Sequence, residues 1–433
     1  MTISSSLNAG VAGLAANAAR LAAISDNIAN SATYGYRRAT TDFHAMVING
    51  GNTGSYTAGG VRVTSARLVD QGGALVSSTN AMDLAVTGRG MLPVTTYASL
   101  VNGGQAPFML TPTSSFRPDA QGILRTDSGL VLLGWPLAAD GSLPNYPRDS
   151  VAGLQPVRIN FNEYTGEPTT RVEVGVNLPA TSTMAGAAGE IESVSIEYFG
   201  NLGNSESLSI TYEPVVPAAG SSNEWTMTIR DSASGGAVIG EFTLVFDDSR
   251  GGGGRLASVT PISGGTYDPV AGEVEITVGG GPLSMAIGRL GEPGGMSQLG
   301  DSFTPIVIDK NGYPVGSLTN VEVNDSGVVY AIYSNGATRP VYQIPVVDVP
   351  NMNGLRSMDN QAYQVTNASG AFYLWNPGDG PTGAIRGYSR QESATDVAGE
   401  LTQLIQTQRA YSSNAKVIQT VDEMLQETTN IKR

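Results

Sequence analysis

His44 is the only histidine in 433 residues, and there is no cysteine. A catalytic imidazole needs an orienting acid and a nucleophile beside it. A lone one reads as structural, and a zinc site of the nitrogen–sulfur type has no ligand set here. Asp309-Lys310-Asn311-Gly312 begins like a calcium loop, but Asn320 stands at its twelfth position, where a bidentate glutamate is required. Gly88-Arg89-Gly90 has the spacing of a phosphate loop without the helix pattern that must follow it. Asp247-Asp248 and Asp422-Glu423 are sequence neighbours, and neighbouring side chains diverge on a strand or a helix. Asn367-Ala368-Ser369 fits a glycosylation acceptor, a pattern short enough to arise by chance. A sugar hydrolase would need a carboxylate pair in a cleft, and nothing brings Trp135, Trp225 and Trp375 together in sequence. The reading is a protein that is no enzyme, with no catalytic residue, no cofactor and no metal.

Composition narrows the classes further. The net charge is −14, and nucleic-acid binding calls for a basic patch. Fifty-five glycines and only 14% charged residues suit antiparallel β structure with many turns. The start, MTISSSLNAG, has neither the basic head nor the apolar centre of a secretory signal. No apolar run approaches the roughly eighteen residues of a membrane span, so no membrane insertion is expected. A cytosolic location and export without a cleaved signal are both compatible with this. The length fits about two to four domains.

The elements that stand out lie at the two ends. Val397, Leu404, Tyr411, Ile418 and Leu425 recur every seventh residue, with Leu401, Gln408, Ala415 and Asp422 as a mixed second row. Ser393 with Asp396 fits a capping box ahead of them. Leu7, Leu14, Leu21 and Ile28 repeat at the same interval near the start, with Val11 and Ala18 between them. Heptads predict a coiled-coil pair, about 4–30 with 394–428. Such a pair either closes a monomer or packs against copies of itself. The near-absence of charge on the first helix favours the second reading.

Between the ends the pattern has period two. Val172, Val174, Val176 and Leu178 alternate, as do Leu208–Tyr212, Trp225–Ile229, Phe242–Phe246 and Val274–Val278. Asp119-Ala120-Gln121-Gly122, Asp127-Ser128-Gly129 and Ser334-Asn335-Gly336 are turn signals. The fold class expected is mainly β with α-helical termini. A discontinuous β-rich core domain (76–150 with 285–359) carries an inserted all-β outer domain (151–284). A helical domain (1–35 with 393–433) and a linker (36–75 with 360–392) complete it. Alternation turns Thr, Ser and Glu outward, so polar surfaces are expected on the inserted domain.

Several stretches carry a resemblance. NIANSATYGYRR, the valine–glycine strand after it, TNAMDLAVTGRG, and the terminal ELTQLIQTQRAYSSNAKVIQTVDEML resemble the flagellar axial family of rod, hook and hook-associated proteins. TPTSSFRPDAQGILRTDSGLVLLGW is similar to that family's β-rich core segment. The 308–355 segment and NLPA (177–180) are similar to its hook branch. The resemblance implies a homopolymer: a curved, flexible tube transmitting torque as a universal joint. It implies neighbours at the distal rod, the hook cap and the hook–filament junction. It also implies passage through the type III export apparatus to an extracellular place in the flagellum. The polymerisation seam expected is Leu7, Val11, Leu14, Leu21, Ile28, Val397, Leu401, Leu404, Tyr411, Ile418 and Leu425. A distal rod subunit is the alternative within the family; a β-rich adhesin or carbohydrate-acting protein with a helical stalk is the alternative outside it.

Overall fold

The computed structural model describes residues 3–47, 58–101, 107–138, 140–160 and 164–431. They form two compact units: Met1–Asn160 with Asn320–Ile332 and Thr338–Arg433, and Phe161–Thr319 with Tyr333–Ala337. The chain is mainly β, with a long helix at each end.

In the first unit the N-terminal helix, Ile3–Ala29, runs antiparallel to the C-terminal helix, Val397–Ile431. The second helix starts at Asp396, whose carboxylate accepts the Ala398 N–H at 3.2 Å. Ser393, expected as the cap, instead accepts from Thr395 N–H in the turn before it. The N-terminal helix is also long and apolar enough, by length and composition, to cross a membrane. That corrects the expectation of no such segment; alanine counts as apolar here, while its small size suits close helix packing.

A hairpin of Ala39–Ala45 and Val61–Arg67 lies along the N-terminal helix, with Ala39 opposite Arg67 and Ala45 opposite Val61. Leu75–Ser77 pairs with Ser389–Gln391. Beyond it a sheet runs in the order Val328–Tyr333, Thr338–Gln343, Leu130–Pro136, Leu92–Thr96, Met109–Thr111, Tyr363–Gln364, Arg356–Ser357. Leu130–Pro136 is central and almost wholly buried, which explains its unbroken apolar run. Gly122 makes a tight turn beside it. Its φ is +77°, and a Cβ there would sit 1.9 Å from the Ile159 carbonyl oxygen. Tyr363, which the sequence reading placed in the linker, pairs with Leu110 in this sheet.

The second unit is a two-sheet sandwich. Glu192–Phe199, Ser205–Pro214, Glu224–Asp231, Ala237–Phe246 and Leu256–Ser263 form one sheet, each antiparallel to the next. Arg171–Leu178 is central to the other, parallel to Gly281–Ala286 and Ser297–Gln298 on one side and antiparallel to Thr304–Lys310 on the other. The inward rows read from the sequence, Val172 to Val278, share one core. The unit's limits differ from the expected 151–284. Gln155–Pro156 pairs with Leu130–Pro136 in the first unit, and Thr304–Lys310 pairs with Arg171–Leu178 in the second. The exterior is less polar than expected: Ile306, Val307 and Ile308 on Thr304–Lys310 are all exposed, as are Ile191, Leu202, Ile262 and Val270.

Candidate functional site: the terminal helix pair

The residues weighed for chemistry take up structural places. His44 is exposed on the hairpin, with Nε2 2.9 Å from the Thr64 hydroxyl. The Asn311 side-chain oxygen accepts the N–H groups of Thr170 and Arg171, both at 3.0 Å, so the calcium-like stretch is a strand end held to its neighbour. Arg89 bonds Asp348 Oδ1 at 2.7 Å and the Val349 carbonyl at 2.6 Å, which closes a turn. Asp247 accepts from Ser249 N–H at 2.8 Å within its own loop. Ser369 is buried and donates to the Thr366 carbonyl at 2.8 Å. Trp135 and Trp225 are fully buried, Trp135 against the stacked Tyr146 ring and the Arg148 guanidinium. Neither offers a face to a sugar. No group of His, Asp and Glu able to hold a metal occurs among the described residues.

The helix pair is organised differently from the heptad expectation. On the N-terminal helix Gly10, Gly13 and Asn27 meet the partner, and Asn17 and Ile24, at helical spacing from them, are buried. On the C-terminal helix the buried positions are Glu400, Thr407 and Val421, with Asn414 and Ile418 alongside. Glycine allows the close approach. A Cβ on Gly10 would stand 3.1 Å from Ile418 Cγ1, and one on Gly13 would stand 2.8 Å from Asn414 Nδ2. Thr407 satisfies its hydroxyl by donating to the Gln403 carbonyl at 2.7 Å, four residues back.

A polar cluster locks one end of the pair. Asn27 Nδ2 donates to Glu400 Oε1 at 3.0 Å and to the Ala39 carbonyl at 2.8 Å. Asn27 Oδ1 accepts the Ala39 N–H at 2.8 Å. The Arg38 guanidinium stands 2.7 Å from the same Glu400 oxygen. Tyr36 donates to Asp26 Oδ2 at 2.8 Å, under the Arg67 guanidinium at 4.9 Å. Burial, with the Asp26 hydrogen bond adding to it, pushes the Tyr36 hydroxyl well above the usual phenol range. Hydrogen-bonded polar groups at a helix seam fix register, because any slip leaves them unpaired in a dry site.

None of the eleven expected seam residues is fully buried. Leu7, Leu14, Leu21, Ile28, Leu404 and Ile418 are half-buried, Ile418 against Gly10. Val11, Val397, Leu401, Tyr411 and Leu425 are exposed. Ile405, Val417 and Met424, missed in the sequence reading, join that exposed set. Small and polar residues share the contact with Ile24, Ile418 and Val421, while Val11, Val397, Leu401, Ile405, Tyr411, Val417, Met424 and Leu425 are exposed. The missed signal was the row Glu400, Thr407, Asn414, Val421, one residue ahead of the chosen second row.

The chain is similar to known proteins at several levels. The family described as Flagella basal body rod protein matches residues 7–37, and Flagellar basal body rod FlgEFG protein C-terminal matches residues 387–431. The first covers most of the N-terminal helix and the second the C-terminal helix. The flagellar hook protein FlgE of Rhizobium meliloti is 30% identical over 438 residues, all of each chain. Its counterpart in Brucella suis is 31% identical over 442 residues, again all of each chain. That of Escherichia coli is 26% identical over 98% of each chain. A solved Helicobacter pylori flagellar hook protein aligns over 72% of this chain and 99% of its own, with TM-score 0.47 and 14% identity.

Proposed function

The chain belongs to the flagellar hook protein family, and on that premise we propose that its terminal helix pair is the seam through which copies polymerise. It is a structural subunit of the bacterial flagellum, in the hook that joins rod to filament and transmits torque as a universal joint. The observation that carries the seam is the inversion just described. The pair's own contact uses glycine, asparagine, threonine and glutamate beside Ile24, Ile418 and Val421, while Val397, Leu401 and Ile405 are exposed. An exposed apolar row on a helix marks an interaction surface. In a homopolymer the surface that meets it is another copy.

The rest of the reading follows from the family. Subunits leave the cell through the type III export apparatus, uncleaved, and the assembly meets the distal rod, the cap and the hook–filament junction at its ends. The second unit then supplies the shape of the tube, the helix pair its cohesion. The chain binds no substrate and acts as a building block rather than a catalyst. Substituting an exposed row residue such as Leu401 by aspartate tests the reading. The β units should fold unchanged and tubes should be absent on negative-stain microscopy. Tubes of ordinary length would refute it.

A further inference from the structure

Arg20 and Asp26 are the only charged residues of the N-terminal helix, Ile3–Ala29. Asp26 has clear partners: it accepts from Tyr36 and stands 3.4 Å from the Arg67 guanidinium. Arg20 is harder to account for. It is half-buried and falls in one row, seven residues apart, with Gly13 and Asn27, both of which meet the C-terminal helix. A cation turned toward a helix seam calls for an acceptor there. The contact it does make is weak. Its guanidinium carbon lies 5.7 Å from the Phe43 ring centroid, close to the limit of about 6 Å for a cation–π contact, and that ring is exposed.

An acceptor stands across the pair. Glu400 is buried, and its two oxygens are served unequally. Oε1 takes the Asn27 amide at 3.0 Å and lies 2.7 Å from the Arg38 guanidinium. Oε2 is buried and meets no donor among the described residues. A cavity of about 30 Å³ opens where three elements converge. Arg20 and Ile24 line it from the N-terminal helix, Thr40 and Thr41 from the hairpin, Glu400 and Gln403 from the C-terminal helix. That space admits about one water. The donor that completes Oε2 is therefore that water or a group already in the lining.

We propose that Arg20 turns from Phe43 to Glu400 Oε2 and is a positioning residue of the helix pair. Charge selects it from the lining. Gln403, Thr40 and Thr41 are neutral donors, and Arg38 is engaged at Oε1. A charge-assisted bond to a carboxylate is roughly twice as strong as a neutral one. The single arginine of an alanine-rich helix then has its use, as a direct tie from one terminal helix to the other. The tie lies within one copy, so it stands or falls separately from the polymer reading.

Hydrogen exchange of the dilute full-length chain tests it, read by mass spectrometry at the amides of residues 400–410, where exchange reports opening of the pair. Arg20→Met keeps most of the side chain's length and removes its charge. It should speed exchange about tenfold in the parent but less than about threefold in Glu400→Gln, because contacting residues are not additive. Arg20→Lys should recover most of the protection, which a purely apolar packing role would not give. Phe43→Ala should leave exchange within about twofold of the parent, since the ring holds Arg20 only weakly. Equal acceleration by Arg20→Met in the two backgrounds would overturn the proposal. So would no acceleration in the parent, which would leave Oε2 to a water. A loss with Phe43→Ala as large as that with Arg20→Met would assign Arg20 to the ring, and an Arg20→Lys chain as open as Arg20→Met would remove charge from the account.

Discussion

Asn27 and Glu400, 373 positions apart in sequence, are joined by a buried hydrogen bond of 3.0 Å. Glu400 is only 2% exposed, and its second partner is the Arg38 guanidinium. The two ends of the chain are thus fastened by a polar contact where coiled-coil patterning leads one to expect leucine.

Glu400→Ala should therefore loosen the pair. It removes one of the two acceptors of the Asn27 amide and the carboxylate beside Arg38 in a dry site. The cost should be about 2–3 kcal/mol, less than for a fully buried ion pair because Arg38 is partly exposed. Limited proteolysis checks it: both ends of the dilute variant should be trimmed faster than in the parent, while the β units resist equally.

Gly13→Leu should act by a different route. Any Cβ there crowds the Asn414 side chain, and a full leucine forces the helices apart at a cost of about 1–3 kcal/mol. Gly13→Ala should cost far less, since the Asn414 amide is flexible and alanine favours the helix by up to about 1 kcal/mol. Thermal melting of the helical signal separates the two variants. Equal losses would mean that close approach is not what the glycine provides.

The second unit should weaken in acid through Asp231. Burial acts to raise the pKa of this fully buried carboxyl. Bonds from Ser234, Tyr198 and the N–H groups of Gly279 and Ala233 outweigh it and hold the group below the usual carboxylate range. A depressed folded-state value gives stability that is present above the unfolded value, about 3.9, and is lost as pH falls through the folded one. Urea unfolding should thus show an acid-dependent loss below about pH 4 that shrinks in Asp231→Asn. An identical loss in both proteins would assign it to other groups.

Excising the second unit should separate cohesion from shape. The sandwich is closed by the pairing of Thr304–Lys310 with Arg171–Leu178, so the cut belongs at 161 and 319, with a short linker. The remaining chain should still polymerise, into tubes that are straight. Curvature equal to the parent's, measured by electron microscopy, would show that the second unit does not set the shape.

Much of this architecture was legible in the sequence, for physical reasons. The strands of the sandwich alternate because one face is buried, and that period survives in any sequence that folds so. The terminal helices are visible through their repeats. The phase of their contact was not. Leucine rows draw attention, yet burial of Gly10, Asn27 and Glu400 depends on partners hundreds of residues away, which no local period records. The domain limit failed likewise. Thr304–Lys310 shows three consecutive exposed apolar residues and no alternation, and only its long-range partner assigns it to the sandwich.

The central claim is that the apolar row left open by the helix pair joins one copy to the next. Leu401 tests it most directly, because it is 47% exposed and contributes little to the monomer's own packing. The measurement is the concentration at which Leu401→Asp assembles into tubes, beside the parent, with proteolysis confirming an intact fold. A charge repeated at every subunit contact should cost several kcal/mol per copy. The account predicts no tubes at concentrations where the parent is fully assembled. Assembly at the parent's concentration, from a variant equally well folded, would contradict it.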